Sequence, residues 1–307
     1  MKNNKIKSRS AVTVVLGLML TFYVLFLFVL ILWGFFTSVK SYHPHTATNP
    51  LNVFRGNEAG LPKGPIWQWE WKNYTKVLDY IYAYVFYGGN KYKINVVQML
   101  ENTLYYTVGG ALISTMLPCI VAYATSKTNF KFSKIFDATI LVVMIIPIIG
   151  AYPSELQVLN TLKIYNTWIG YYVQRMHCIS VYYLIFQAAF RSIPASYSEA
   201  AMVEGANRYT IMFRVCIPLV RTMIFTVFLI YFIGIWNDYN TSLLYMPSHP
   251  SFAYGIFYLV FENAETHIAL ITYKMAGSFV LFIPILILFI LFRKPLMQNL
   301  SMGGLKE

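Results

Sequence analysis

The chain has 307 residues, 57% of them hydrophobic, 18% aromatic and only 12% charged. A soluble domain carries roughly 25% charged residues, and here the apolar residues come in blocks instead of period-2 or amphipathic stripes, which excludes an ordinary soluble fold. The formal net charge of +12 would suggest nucleic-acid binding in a soluble protein. No basic patch is interleaved with exposed aromatics, however, and the basic residues sort by membrane side, so no nucleic-acid partner is expected.

Residues 1–10 carry Lys2, Lys5, Lys7 and Arg9, which places this first segment in the cytoplasm. Ala11 to Val39 contains no charged residue, longer than the ~20 residues needed to cross hydrocarbon. The run far exceeds a secretory h-region and no small-residue cleavage site follows it, so it reads as a retained first span over 11–38. Residues 41–97 form an extracellular segment with turns at Asn49-Pro50, Gly60-Leu61-Pro62 and Gly64-Pro65. Trp71-Lys72-Asn73-Tyr74 leads into a helix there. Trp67, Trp69 and Trp71 have two readings, an aromatic belt at the outer bilayer surface or a contact surface for an external protein.

A core over 100–292 holds five more spans, at 100–125, 136–157, 168–190, 219–244 and 272–292. The expected fold class is an all-α polytopic membrane protein with six transmembrane helices and both termini cytoplasmic, 293–307 being a cytoplasmic tail. Lys127, Lys131, Lys134, Arg191, Arg208, Arg214, Arg293 and Lys294 follow the even-numbered spans, as cytoplasmic loops require. Pro147, Gly150 and Pro153 should kink or break the third span, either to line a substrate path or simply to bend the helix for packing. Arg175 lies inside the fourth span near its outer end, where snorkelling to the interface is expected. Cys119, Cys178 and Cys216 are an odd, scattered set that reads as small hydrophobes. His177 beside Cys178 lacks further ligands, so no metal site is expected. No internal repeat is seen, which weighs against a secondary transporter built from duplicated halves.

The most informative stretch is the loop 191–218 between the fourth and fifth spans. Pro194 suits the first turn of a helix, where its missing N–H costs nothing. Glu199, Ala200 and Ala201 follow, and the two alanines remove bulk, so that another backbone can approach closely. Gly205 ends the helix with a positive φ. Asn207 caps a second short helix from Arg208 to about Cys216, with Met212 and Phe213 as its apolar face, and Ile217-Pro218 stops that helix. The result is a bent element with an acidic, small-residue face.

The spacing Glu-Ala-Ala, three residues, Gly-Ala, then Ile-Pro-Leu twelve residues after the glycine resembles the EAA docking loop of ABC importer permeases. Asn102-Thr103-Leu104, Phe190-Arg191-Ser192-Ile193-Pro194, Ile233-Gly234-Ile235-Trp236-Asn237-Asp238-Tyr239 and Ser301-Met302-Gly303-Gly304-Leu305-Lys306 resemble further stretches of the carbohydrate branch, and of the smaller maltose-type permease subunit in particular. The resemblance implies a type I importer permease fold in the plasma membrane of a prokaryote. The partners would be a second permease subunit, two ATPase subunits, an extracellular solute-binding protein that delivers a sugar, and membrane lipid. It implies that Glu199, Ala200, Ala201, Glu204, Gly205, Ala206, Met212 and Phe213 dock on the ATPase, and that Gly303 and Gly304 reach the same interface. No cofactor is expected on this chain; ATP and Mg would sit on the partner, which hydrolyses the nucleotide, so the chain is not itself an enzyme. Thr222 stands where relatives commonly have proline, Glu204 stands where aspartate is common, and the first outer segment is longer than expected.

Asp238 reads as a helix-packing acceptor and Asn102 as a polar packing residue, while Trp236, Asn237, Tyr239 and Asn240 are candidates for the substrate path, since aromatic faces stack on sugar rings and amides bond hydroxyls. Glu101 and Glu155 lie at span edges with no special role expected. A permease for a non-sugar solute such as a peptide is the alternative reading; a stand-alone channel is another. An intramembrane enzyme would need a nucleophile–base pair that no Gly-x-Ser-x-Gly or His-Glu-x-x-His element supplies.

Overall fold

The computed structural model describes residues 2–40, 62, 64–87, 89–128, 132–146, 150–262 and 271–300. The opening helix, α1, is Lys2–Ser38. Its apolar stretch from Val12 leaves large side chains such as Phe22 and Leu25 exposed on every side, which only a nonaqueous surrounding satisfies. A short turn at Ile66–Gln68 leads to α2, Lys72–Tyr80. The next elements are two strands, β1 at Tyr82–Tyr87 and β2 at Asn90–Asn95, paired antiparallel with Tyr82 opposite Asn95 and Tyr87 opposite Asn90. The all-α expectation is corrected here. Alternating Tyr, Val and Phe fit a pleated surface, and Gly89, at φ +81°, turns the chain into β2.

The long helix α3 runs over Val96–Lys127. Asn95 and Gln98 form a reciprocal capping box at its start. A π-helical turn at Tyr105–Gly109 interrupts it without ending it. The expected third span is two helices, α4 at Ser133–Ile145 and α5 at Ala151–Thr161. Gly150 opens α5 at φ +76°, a left-handed conformation cheap only for glycine; Pro147 lies outside the described residues. The expected fourth span is also two helices, α6 at Trp168–Arg175 and α7 at Val181–Ser192, with 176–179 non-helical between them. Hydropathy registers the apolar run but not its continuity.

After α7 come α8, Ala195–Val203, and α9, Arg208–Leu219. The chain bends by 75° between α9 and α10, which is Arg221–Trp236. Pro218 therefore sits inside α9, and the break falls two residues later, at Val220. A π turn at Thr241–Tyr245 precedes α11, Phe252–Phe257, and the final described helix is α12, Ile271–Leu300. Among the described residues three helices are long and apolar enough to cross a membrane, with the α9–α10 pair a fourth if counted as one bent span.

The chain divides into two compact units. One comprises 1–81 and 258–282. In it, Asn73 is buried and its side-chain amide donates to the carbonyls of Ser38 and Lys40, each at 2.9 Å, closing the end of α1. Trp69 packs edge-on to Phe36, Trp71 lies over Trp69 at 6.2 Å, and Trp67 is 80% exposed. Two of the three tryptophans are thus fixed to the end of α1, and one remains presented outward. Gly34 lets α1 approach α12 at Phe279.

The other unit comprises 82–257 and 283–307, with α3 packed along α7 and α10. One core layer joins Cys119, Ala122 and Tyr123 of α3 to Phe186 and Phe190 of α7 and to Met212 and Cys216 of α9. A second joins Tyr106, Tyr171, Ile235, Tyr245 and Met246. Cys119 and Cys216 are buried and unpaired, Cys178 is half-buried, and among the described residues no cluster of His, Cys, Asp and Glu could hold a metal.

A Cβ on Gly170 would run into the backbone carbonyl of Ile164, which cannot yield as a side chain end does. Gly170→Ala is expected to cost about 1–3 kcal/mol through overpacking, read as a lowered unfolding temperature of the detergent-purified protein.

Candidate functional site: a loop knuckle and a polar girdle

The loop 191–218 is built as a helix, a tight reversal and a second helix. α8 closes with Ala206 N–H donating to the Ala201 carbonyl at 2.9 Å and Gly205 N–H to the Met202 carbonyl at 3.0 Å, the paired bonds of a Schellman closure. Gly205 takes φ +82°. Asn207 Oδ1 then accepts the Thr210 N–H at 2.8 Å and caps α9. Glu199, Ala200, Glu204 and Gly205 are exposed. Ala201 and Ala206 pack instead against the core layer beneath. Met212 is buried within that layer, whereas Phe213 on the same helix is 55% exposed. Of the eight residues assigned to docking, Ala201, Ala206 and Met212 therefore hold the knuckle onto the body, and the other five form its outer face. Val203 and Tyr209, 89% and 76% exposed, extend that face and were not singled out from sequence.

The knuckle's entry is clamped by a network around Asp137 of α4. One of its oxygens accepts from Tyr183 Oη at 2.5 Å and Gln187 Nε2 at 2.7 Å, the other from Arg191 at 3.0 Å. Tyr183 also bonds Thr125 of α3 at 2.8 Å, and Lys127 Nζ donates to the Ile193 carbonyl. Three helices, α3, α4 and α7, are thus tied together where the chain leads into α8.

At the opposite core layer the expectation for Arg175 is overturned. Its guanidinium does not snorkel; Nη2 donates to Asp238 Oδ2 and Thr241 Oγ1, both at 3.1 Å, and the group lies over the Tyr171 ring. Both side chains are about a fifth exposed, 21% and 23%, and a charge at this depth is stabilised chiefly by its counter-charge. Asp238 also accepts the Thr241 N–H at 3.1 Å and its hydroxyl at 2.5 Å, which fixes the π turn after α10. Asn102 donates to the Pro250 carbonyl at 3.1 Å. His249 packs against Trp168, and its backbone carbonyl accepts from Tyr106 Oη at 2.7 Å.

The substrate-path candidates are dispersed. Trp236 is buried beside Phe232, leaving no face for a sugar in this conformation. Asn237 is exposed, but its amide donates to the Ile233 carbonyl of its own helix. Tyr239 is stacked on Phe257 at 4.6 Å with rings near parallel. Asn240 is exposed. Gly303 and Gly304 lie outside the described residues. Glu155, read from sequence as without a role, accepts from Tyr245 Oη and Gln174 Nε2. Two opposite charges inside neighbouring apolar runs were the signal for Arg175 and Asp238; nothing in the linear order announced Asp137 or Glu155.

Residues 114–301 match the family described as the binding-protein-dependent transport system inner membrane component. The chain belongs to this family. The permease is similar to the inner membrane ABC transporter permease protein YcjP of Escherichia coli, 24% identical over 83% of this chain and 88% of that one. It is also similar to the trehalose/maltose transport system permease protein MalG of Thermococcus litoralis, 25% identical over 67% and 74%. The arabinooligosaccharides permease protein AraQ of Halalkalibacterium halodurans is 24% identical over 67% of this chain and 72% of its own length. The fold of the present chain resembles that of a chain in a bacterial ABC transporter involved in the import of the acidic polysaccharide alginate, with a TM-score of 0.70, 22% identity and coverage of 94% of this chain and 97% of that one.

Two outcomes test the girdle of this permease. Asp238→Ala is expected to lower stability by about 2 kcal/mol, below the 3–5 of a fully buried pair because both groups keep some solvent, and Arg175→Met with Asp238→Leu should cost less than either single change; thermal unfolding in detergent decides. Burial holds the His249 imidazole below its usual pKa of 6.5, so the folded state resists its protonation. This contribution is present above pH 6.5 and lost as pH falls below it. The unfolding temperature should therefore drop on acidification more in the wild type than in His249→Gln.

Proposed function

We propose that this permease is a membrane subunit of an ATP-driven, binding-protein-dependent importer of a sugar or oligosaccharide, and that the 191–218 loop couples ATPase closure to alternating access. The observation that carries this reading is the exposed acidic knuckle, Glu199, Glu204 and Gly205, mounted on a core layer through Ala201, Ala206 and Met212. A rigid convex element with small residues at its crest lets a partner's backbone approach closely. Phe213, Val203 and Tyr209 supply apolar area to such a contact.

In this reading the chain crosses a prokaryotic plasma membrane six times with both termini cytoplasmic. α4 with α5, and α6 with α7, each complete one broken span. A second permease subunit completes the pathway, two ATPases bind ATP and Mg, and a solute-binding protein docks outside. This chain binds no nucleotide and catalyses no hydrolysis. Gly303 and Gly304 reach the ATPase interface. A saccharide cargo is supported by relatives named for trehalose and maltose, arabinooligosaccharides and sulfoquinovosyl glycerol. A peptide or other solute is the alternative, and uptake by the reconstituted complex separates the two.

Glu199→Lys combined with Gly205→Pro removes the acidic contact and the left-handed closure together. Binding-protein-stimulated ATP hydrolysis should fall to its unstimulated level while membrane insertion and subunit assembly persist. Stimulation at the wild-type level in that variant would sink the coupling role.

A further inference from the structure

The polar girdle carries a second cluster beside the Arg175–Asp238 pair. Glu155 of α5 is exposed, and its Oε2 accepts from Tyr245 Oη at 2.5 Å and from Gln174 Nε2 at 2.9 Å. The three groups come from α5, α6 and the π turn after α10, so the carboxylate is held from two sides. Its Oε1 accepts no hydrogen bond from any described residue. Tyr152, one helical turn earlier on α5, is 58% exposed with its ring 6.4 Å from that of Tyr245.

Two alternative uses of this face, a lipid-facing surface and a purely structural acceptor, meet physical objections. A carboxylate turned to lipid costs several kcal/mol, and α5 also exposes Ser154, Gln157 and Asn160. A purely structural acceptor would be enclosed by its donors, yet Glu155 stays open. An outward tyrosine ring beside a fixed carboxylate and an amide is the combination that binds a sugar, the ring stacking on the apolar face of a pyranose and the carboxylate accepting from two hydroxyls. The charge is specific as well. Arg175, next in sequence to Gln174, is already matched by Asp238, and the contacts of Glu155 are the neutral donors Tyr245 and Gln174, so the carboxylate would repel an anionic sugar.

We propose that Tyr152, Glu155 and Gln174 form a contact for a neutral saccharide in the transport pathway. This rests on the importer reading and adds the class of sugar and the residues that touch it. Trp236 and Tyr239, the aromatic residues singled out from the sequence motif, are engaged by Phe232 and Phe257; the exposed ring of Tyr152 stands in their place.

The test is saturation-transfer NMR on the assembled transporter in detergent, without binding protein, with maltotriose, raffinose, arabinotriose and trigalacturonate as probes. At least one neutral trisaccharide should give signals in the wild type, and trigalacturonate none. Tyr152→Ala and Glu155→Ala should weaken binding of the neutral probe about tenfold, the size of one lost stacking or hydrogen-bonded contact. Val158→Ala, a 56% exposed site on the same helix, should leave it unchanged, and Glu155→Gln should admit trigalacturonate. Equal neutral-probe signals in all variants would overturn the contact while leaving ATP-driven uptake, and so the importer reading, intact. Loss of the second permease on purification of either alanine variant would make the face a subunit interface and overturn the proposal. Absence of both saccharide signals and ATP-driven saccharide uptake in the wild type would overturn contact and cargo reading together.

Discussion

A bundle surrounded by apolar surface has to satisfy its own polar groups, and in this permease that constraint falls most heavily on Arg175 and Asp238. The helices here are not continuous. α6 stops at Arg175 and α10 stops at Trp236, and both breaks release backbone groups and charges at one depth. The ion pair at 3.1 Å, with Thr241 bridging both partners, closes the two breaks against each other. Without it, a guanidinium and a carboxylate would each be left in a medium that solvates neither well. The pair thus joins the C-terminal ends of α6 and α10.

The second polar centre, at Asp137, solves a different problem. The knuckle at 191–218 projects on short helices that have little core of their own. Three donors converge on one carboxylate of α4, and Lys127 holds the Ile193 carbonyl. Below them, Ala201, Ala206 and Met212 seat the knuckle on the aromatic layer of α7. The clamp thus joins α3, α4 and α7 at the base of the knuckle. The 75° bend after α9 turns the same element into α10, which carries Asp238 at its far end. The two polar centres thus lie within a single compact unit.

The sequence by itself determined the membrane-compatible helices α1, α3 and α12, because length and freedom from charge are sufficient for an apolar helix. It also determined the knuckle's backbone: Gly205, Asn207 and Pro194 act locally, through positive φ, a side-chain cap and a fixed φ, and local chemistry is legible in linear order. The alternation in the strands at 82–87 and 90–95 is equally local, but it lies in a segment whose many turn residues obscure it. Tertiary structure alone decided which side chains meet. Arg175 and Asp238 are 63 residues apart, Glu155 and Tyr245 are 90, and no periodicity within either segment encodes the other's position. It also decided which of the knuckle's small residues face outward, since Ala200 and Ala201 are chemically identical and differ only by the rotation of one helical step about the axis of α8.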